Sequence, residues 1–173
     1  MNIAKILIIN GTARSGKDTF IGFLKTYYPK TFVHSTVSTV KKAAYIFGYT
    51  GHKTAKERKL LSNLKLAWSQ FNDGPYNEIV AGIGIIRNWI GTPFIFSICV
   101  REPDEIQKIK NRYPDARTIL IRRPGLELFD NMADQNVENF NYDFVINNNS
   151  TIEDFKKATI DFFNSNLKEE LNA

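Results

Sequence analysis

The sequence predicts an α/β protein: a parallel sheet covered by helices on both faces. Three observations lead there. Short apolar runs alternate with amphipathic segments along the whole chain, as repeated strand–helix units require. A glycine-rich loop, Gly11-Thr12-Ala13-Arg14-Ser15-Gly16-Lys17-Asp18-Thr19, lies between the first apolar run and the first amphipathic segment. The length of 173 residues suits one domain with a substantial core.

Each element has its own signal. Residues 6–10, led by Ile6-Leu7-Ile8-Ile9, read as a buried strand. Residues 17–28 read as a helix with Phe20, Phe23, Leu24 and Tyr27 on one side, stopped by Pro29. A short strand at 31–35 and a helix at 37–47 follow, the helix ending where Gly48 can take a left-handed cap. The strongest helix signal spans 55–71. There Thr54 and Glu57 form a capping box, Leu60, Leu61, Leu64, Trp68 and Phe71 make an apolar stripe, and Asn72-Asp73-Gly74-Pro75 ends it. Residues 76–90 continue as a helix with Ile79, Ile83, Ile86 and Ile90 on one face, although Gly82 and Gly84 weaken it.

Residues 94–100 read as an interior strand, and 103–113 as a helix with acids at its start and bases at its end. A strand at 118–121 precedes a helical segment, 126–140, with Leu126, Phe129, Ala133, Val137 and Phe140 on one side. Residues 144–146 form the last strand. Ser150 with Glu153 then caps a closing helix that runs to residue 167.

The composition excludes several classes. A net charge of +5 fits a protein that handles polyanions, whether phosphorylated small molecules or nucleic acid. No arginine–aromatic interleaving or base-reading helix supports nucleic acid as the partner. Cys99 is the single cysteine, which rules out a disulfide framework and fits a reducing cytosol. The first residues lead directly into a strand and do not read as a signal peptide, and the apolar run 79–86 is too short to span a bilayer. A cytoplasmic location follows as the expectation, with the oligomeric state open to a homodimer.

The loop carries the chemistry. Gly11 and Gly16 let the backbone curl so that the N–H groups of residues such as Ala13, Arg14 and Ser15 turn inward toward an anion. The helix that starts near Lys17 adds its positive end, and the Lys17 ammonium can reach the outer phosphates of a nucleotide. The loop therefore predicts binding of a nucleoside triphosphate, with ATP and Mg²⁺ as the expected cofactors. The residue after such a lysine is usually Ser or Thr on Mg²⁺. Here it is Asp18, which either sits near Mg²⁺ or turns into a helix-start hydrogen bond; the next residue, Thr19, resembles the threonine that adenylate-kinase-like enzymes delay by one position, which implies that its hydroxyl would meet a phosphate.

Ligands of such sheets bind beyond the carboxyl ends of the strands, and the other candidates fall there. Arg101 and Glu102 follow the 94–100 strand, where a carboxylate commonly holds Mg²⁺; Glu102 is that candidate metal ligand. Arg122 and Arg123 close the next strand ahead of 126–140, where arginines on a cover stabilise a migrating phosphoryl group. Lys41, Arg58 and Lys65 form a basic surface that could hold an acceptor phosphate. Asp130 and Asp134 read as a solvated acidic face, and His34, His52 and Cys99 as structural. Asn147-Asn148-Asn149 either touches a base edge, with Asn147 as the cofactor-binding candidate, or forms a turn.

The run from Gly11 to Thr19 resembles the phosphate loop of bacteriophage-type deoxynucleoside monophosphate kinases, within a wider P-loop kinase group that includes adenylate kinase and an animal phosphomevalonate kinase. Val100-Arg101-Glu102-Pro103-Asp104-Glu105 is similar to a segment in which those phage enzymes carry Asp-Val-Arg followed by Pro and an acid. Cys99 stands where that aspartate would be, so the metal-organising carboxylate would come from Glu102 or Asp18. Arg58–Lys65, Asn72-Asp73-Gly74-Pro75 and Tyr142–Asn147 are similar to small bacterial and phage proteins described as kinases or ATPases. The resemblance implies a three-layer α/β/α fold on a five-stranded parallel sheet, an acceptor-binding insertion over 37–91 and a lid over 123–141. Lys17 and the loop amides would hold ATP, Arg122 or Arg123 would act from the lid, and the acceptor phosphate of a nucleotide substrate would lie near Lys41, Arg58 and Arg101.

Overall fold

Alternation along the first strand decides the layers. In this computed structural model, which describes residues 4–52, 54–88, 91, 93–126 and 136–172, strand β1 (Ala4–Asn10) sends Leu7 and Ile9 into one core and Ile6 and Ile8 into another. Helix α1 (Lys17–Tyr27), strand β2 (Thr31–Ser35) and helices α2 (Ser38–Ile46), α3 (Ala55–Asn72) and α4 (Gly74–Arg87) follow. Then come strand β3 (Phe94–Cys99), helix α5 (Pro103–Arg112), strands β4 (Arg117–Arg122) and β5 (Phe144–Asn147), and helices α6 (Ile152–Asn166) and α7 (Lys168–Asn172).

The five strands pair in the order β2-β3-β1-β4-β5, and every pair is parallel. The predicted three-layer architecture is therefore present. β1 lies at the centre, with Ile9 beside Cys99 of β3 and Asn10 beside Leu120 of β4. The loop after Asn10 thus leaves the middle of the sheet. On one face Phe20, Ile21 and Leu24 of α1 pack with Phe155, Phe162 and Phe163 of α6. On the other, Ile79 and Ile83 of α4 meet Ile106 and Ile109 of α5 over Ile6, Ile8 and Ile98.

Several boundaries and faces differ from expectation for identifiable reasons. In α1 the buried set includes Ile21, whereas Tyr27 is 44% exposed and meets Phe163 edge-on at the rim. The Thr54–Glu57 capping box of α3 is present, but no residue of that helix is fully buried and Phe71 is 83% exposed. Its main neighbours are α2 and α4 rather than the sheet, so an amphipathic stripe meets only a half-shell of protein. α4 begins at Gly74, because Asp73 adopts a left-handed conformation (φ 53°) that turns the chain at once. A Cβ on Gly74 would lie 1.8 Å from Trp68 Nε1, so only glycine lets α4 start against α3. The cap of α6 lies one residue later than predicted: Thr151 Oγ1 accepts from the Asp154 amide at 3.1 Å, and Ser150 instead donates to Asp154 Oδ2 at 2.6 Å.

The expected positions Ile90, Phe129, Asp130, Ala133 and Asp134 lie outside the described residues, as do residues 127–135 of the span expected to form a lid. Its far end is described. Residues 136–138 form a turn with Val137 buried, and Phe140 packs edge-on against Tyr142. No helix among the described residues is long and apolar enough to cross a membrane.

Candidate functional site

The loop between β1 and α1 has the backbone that its glycines require. Gly11 (φ 149°), Arg14 (φ 66°) and Gly16 (φ 105°) all adopt positive φ, which is costly for any residue bearing a Cβ. Space adds a second restriction. A Cβ on Gly11 would lie 2.5 Å from the Ile121 carbonyl oxygen, and one on Gly16 would lie 2.5 Å from Asn148 Nδ2. The loop is therefore wedged between the ends of β4 and β5. The Lys17 ammonium donates to the carbonyl oxygens of Gly11 and of Thr12, the latter at 2.7 Å, and so lies across the loop. Ser15 is fully buried, and its Oγ has no hydrogen-bond partner among the described residues. A hydroxyl left in that condition inside a loop of positive-φ turns fits a site completed by an anion.

Asn10, which the sequence did not single out, and Asn148, named only within the asparagine run, hold this loop. Asn10 is completely buried and uses its whole amide: Oδ1 accepts from the Gly11 amide at 2.7 Å, and Nδ2 donates to the Arg101 carbonyl at 3.0 Å and to the Tyr142 hydroxyl at 2.6 Å. Asn148 Nδ2 donates to the Ser15 carbonyl at 2.9 Å, and its backbone amide donates to the Arg122 carbonyl at 2.7 Å. Asn147, the predicted contact, is the exposed last residue of β5. The sequence signal for Asn148 was the triple asparagine. For Asn10 it was a polar residue closing an otherwise apolar strand.

Four groups gather where β3 ends beside the loop. Burial pushes the Cys99 thiol up to about 11, Lys17 and Arg101 pull it back, and Asp18 opposes them. The thiol is therefore neutral, and Lys17, Asp18 and Arg101 are close enough to act on it. Asp18 is exposed, and Thr19 stands half-buried beside it in the first turn of α1. Mg²⁺ bound with a triphosphate needs few protein ligands, and an exposed carboxylate next to a hydroxyl at this turn fits that requirement. Among the described residues no three His, Cys, Asp or Glu side chains cluster to form a site of protein ligands alone.

The other candidates separate. Lys65 is engaged by two carboxylates, Glu102 Oε2 at 2.6 Å and Glu105 Oε2 at 2.8 Å, so its ammonium is neutralised by α5 rather than offered to an acceptor. Glu102, the predicted metal ligand, has its carboxylate on Lys65. Partial burial would raise its pKa, but the adjacent ammonium outweighs that and holds it below the usual range. Glu105, more deeply buried, is pushed up to about 7. Arg122 makes a two-pronged ion pair with Glu138, at 3.0 and 2.5 Å, and Arg123 is exposed. Lys41 and Arg58 are half-buried on the adjacent helices α2 and α3.

No protein-family model and no curated protein matches this chain. Solved structures do. Dephospho-CoA kinase from Campylobacter jejuni aligns over 94% of this chain and 97% of its own, at 15% identity and a TM-score of 0.50. Shikimate kinase from Aquifex aeolicus aligns over 92% and 96%, at 14% identity and a TM-score of 0.52. The protein TT1252 from Thermus thermophilus aligns over 94% and 98%, at 13% identity and a TM-score of 0.52. The fold is the one these three structures share. Near-complete coverage of both partners means that the whole chain, and not the loop region alone, follows the common architecture. The two named kinases differ in acceptor, so this likeness does not select one.

Proposed function

We propose that this chain is an ATP-dependent phosphotransferase that passes the γ-phosphate to a nucleoside monophosphate, with deoxynucleotides as the first candidates. The observation that carries this is the loop: positive-φ turns at Gly11, Arg14 and Gly16, an orphan buried hydroxyl on Ser15, and the Lys17 ammonium across them. Such a cradle is suited to a polyphosphate tail.

An acceptor phosphate is already anionic, so its attack needs positioning and charge stabilisation more than a general base. In this reading Lys17 and the loop amides orient the triphosphate. Arg101 lies beside the loop on the acceptor side, with Lys41 and Arg58 on the insertion helices. Arg122 and Arg123, at the end of β4, would offset charge on the migrating group. Asp18 and Thr19 would hold Mg²⁺, whose contribution is to neutralise phosphate charge.

The test is incubation with ATP·Mg²⁺ and each common nucleoside or deoxynucleoside monophosphate, with diphosphate product read by chromatography. Failure with every acceptor, under conditions where ATP binds, would reject the nucleotide acceptor. The different acceptors of the two named structural neighbours favour a second reading, a kinase for another small phosphorylated metabolite. A thermal-shift screen of monophosphates against such metabolites separates the two. The reducing cytosol remains the proposed compartment, consistent with the free thiol of Cys99.

A further inference from the structure

Asn10 is the meeting point of a continuous hydrogen-bonded chain. From the Gly11 amide the chain passes through Asn10 to the Tyr142 hydroxyl, and that hydroxyl donates onward to the Val137 carbonyl at 2.7 Å. Burial raises the Tyr142 pKa to about 12, so the phenol keeps the proton that this donation requires. Val137 is buried, at 1% exposure, and the next residue is Glu138. The first turn of the phosphate loop and the position of Glu138 are thus set by one network.

Glu138 in turn grips Arg122. The guanidinium donates through Nε to Oε1 at 3.0 Å and through Nη2 to Oε2 at 2.5 Å. That fork fits a phosphate as well as a carboxylate. The backbone of Arg122 is fixed, because its carbonyl accepts from the Asn148 amide and β4 pairs with β5 there. Its side chain and that of Glu138 are 44% and 55% exposed, and exposed ion pairs are weakly held. The strand end is rigid while the head group can exchange partners. Ile121, one residue earlier, abuts Gly11, which sets the exchange beside the loop.

We propose that Asn10 and Tyr142 are positioning residues that hold Glu138 on Arg122, and that a phosphate group bound at the loop displaces the Glu138 carboxylate from that guanidinium. This rests on the reading of the loop as a triphosphate site and adds to it a competitor built into the chain. Glu138 lowers the apparent affinity for ATP and keeps Arg122 from pairing with other anions.

The test is a mutant cycle read by calorimetric ATP binding. Glu138→Gln should tighten ATP binding by about twofold to fivefold, the range an exposed ion pair supports. Tyr142→Phe, which keeps the ring and loses both hydrogen bonds, should shift affinity in the same direction. Arg122→Ala should weaken binding and abolish both gains, since the gain passes through that guanidinium. A merely structural Tyr142 would lower the melting temperature with ATP affinity unchanged. Unaltered or weaker binding in Glu138→Gln, or a gain that persists in the Arg122→Ala background, overturns the proposal. Glu138 is exposed, so its variant decides the matter even if Tyr142→Phe does not fold. If the wild type binds no ATP, the loop reading falls and the exchange with it; if ATP binds without coupling, only the exchange falls.

Discussion

Replacing Glu105 by glutamine should stabilise the protein at alkaline pH and change little in acid. Two carboxylates share the Lys65 ammonium, and they do so unequally. Burial raises both carboxyls, but Glu105, whose side chain is 12% exposed against 42% for Glu102, also faces the Glu102 charge, and together these push its pKa to about 7 from an ordinary 4.5. The folded state therefore keeps a proton that the unfolded chain has already released. Stability contributed by this group is intact below about pH 4.5 and declines as pH rises toward 7, where the folded carboxyl ionises. The full displacement corresponds to about 3 kcal/mol at pH 8, an upper figure. Glutamine keeps the shape and an oxygen for Lys65 to donate to, and it never ionises. Urea unfolding of wild type and Glu105→Gln at pH 5 and pH 8 measures the difference, and titrations elsewhere cancel. An equal difference at both pH values, or a less stable variant at pH 8, would mean that Glu105 is ionised in the fold and that the ion pair is what matters.

Lys17→Ala should reduce phosphoryl transfer by about 100-fold or more while costing about 1 kcal/mol of stability, since the Gly11 and Thr12 carbonyls lose a donor; unchanged ATP affinity by calorimetry would remove the loop from the mechanism. Gly16→Ala combines a φ of 105° with a Cβ 2.5 Å from Asn148 Nδ2, and should lower stability by about 1–3 kcal/mol, with a melting temperature equal to wild type as the contrary result. Cys99, with a pKa raised to about 11 from 9.0, should react with iodoacetamide at pH 8 about 100-fold more slowly than a free peptide thiol, because the thiolate is the nucleophile. Reaction at the peptide rate would show that burial does not control this thiol.

The elements were legible in the sequence wherever a local rule decides them. Period-two and helical patterning located all five strands and the helices from α1 to α6, and Thr54 with Glu57 announced a capping box that is present. Local rules were weaker where two acceptable residues compete. Ser150 and Thr151 are both good caps, and the choice of Thr151 depends on Asp154 closing the box. Tertiary placement was not legible. A stripe from Leu60 to Phe71 looks the same whether the helix meets a sheet or, as here, stands mainly against two other helices. The site divides in the same way. The glycines and Lys17 follow from the motif, but Asn10 becomes a hub only because the sheet order brings Arg101 and Tyr142 to it, 91 and 132 residues away in sequence.

That separation also bears on which charges remain for an acceptor. Lys65 looked like part of a basic surface, but α5 brings Glu102 and Glu105 onto it, and the same pairing draws Glu102 into an ion pair with α3. The proposed positive groups near the strand ends are then Arg101, Arg58 and Lys41. The carboxylate closest to the loop in sequence is Asp18, whose charge already acts on Cys99. One substitution, Cys99 at a strand end where the resembled phage kinases carry aspartate, therefore fits the unusual Asp18 of the loop. A carboxylate at both positions would set two negative charges beside one another at the phosphates, each raising the cost of the other. Cys99→Asp should accordingly impair rather than improve ATP binding, and Cys99→Asp combined with Asp18→Ser should recover it; a gain from Cys99→Asp alone would show that the two positions do not substitute for each other.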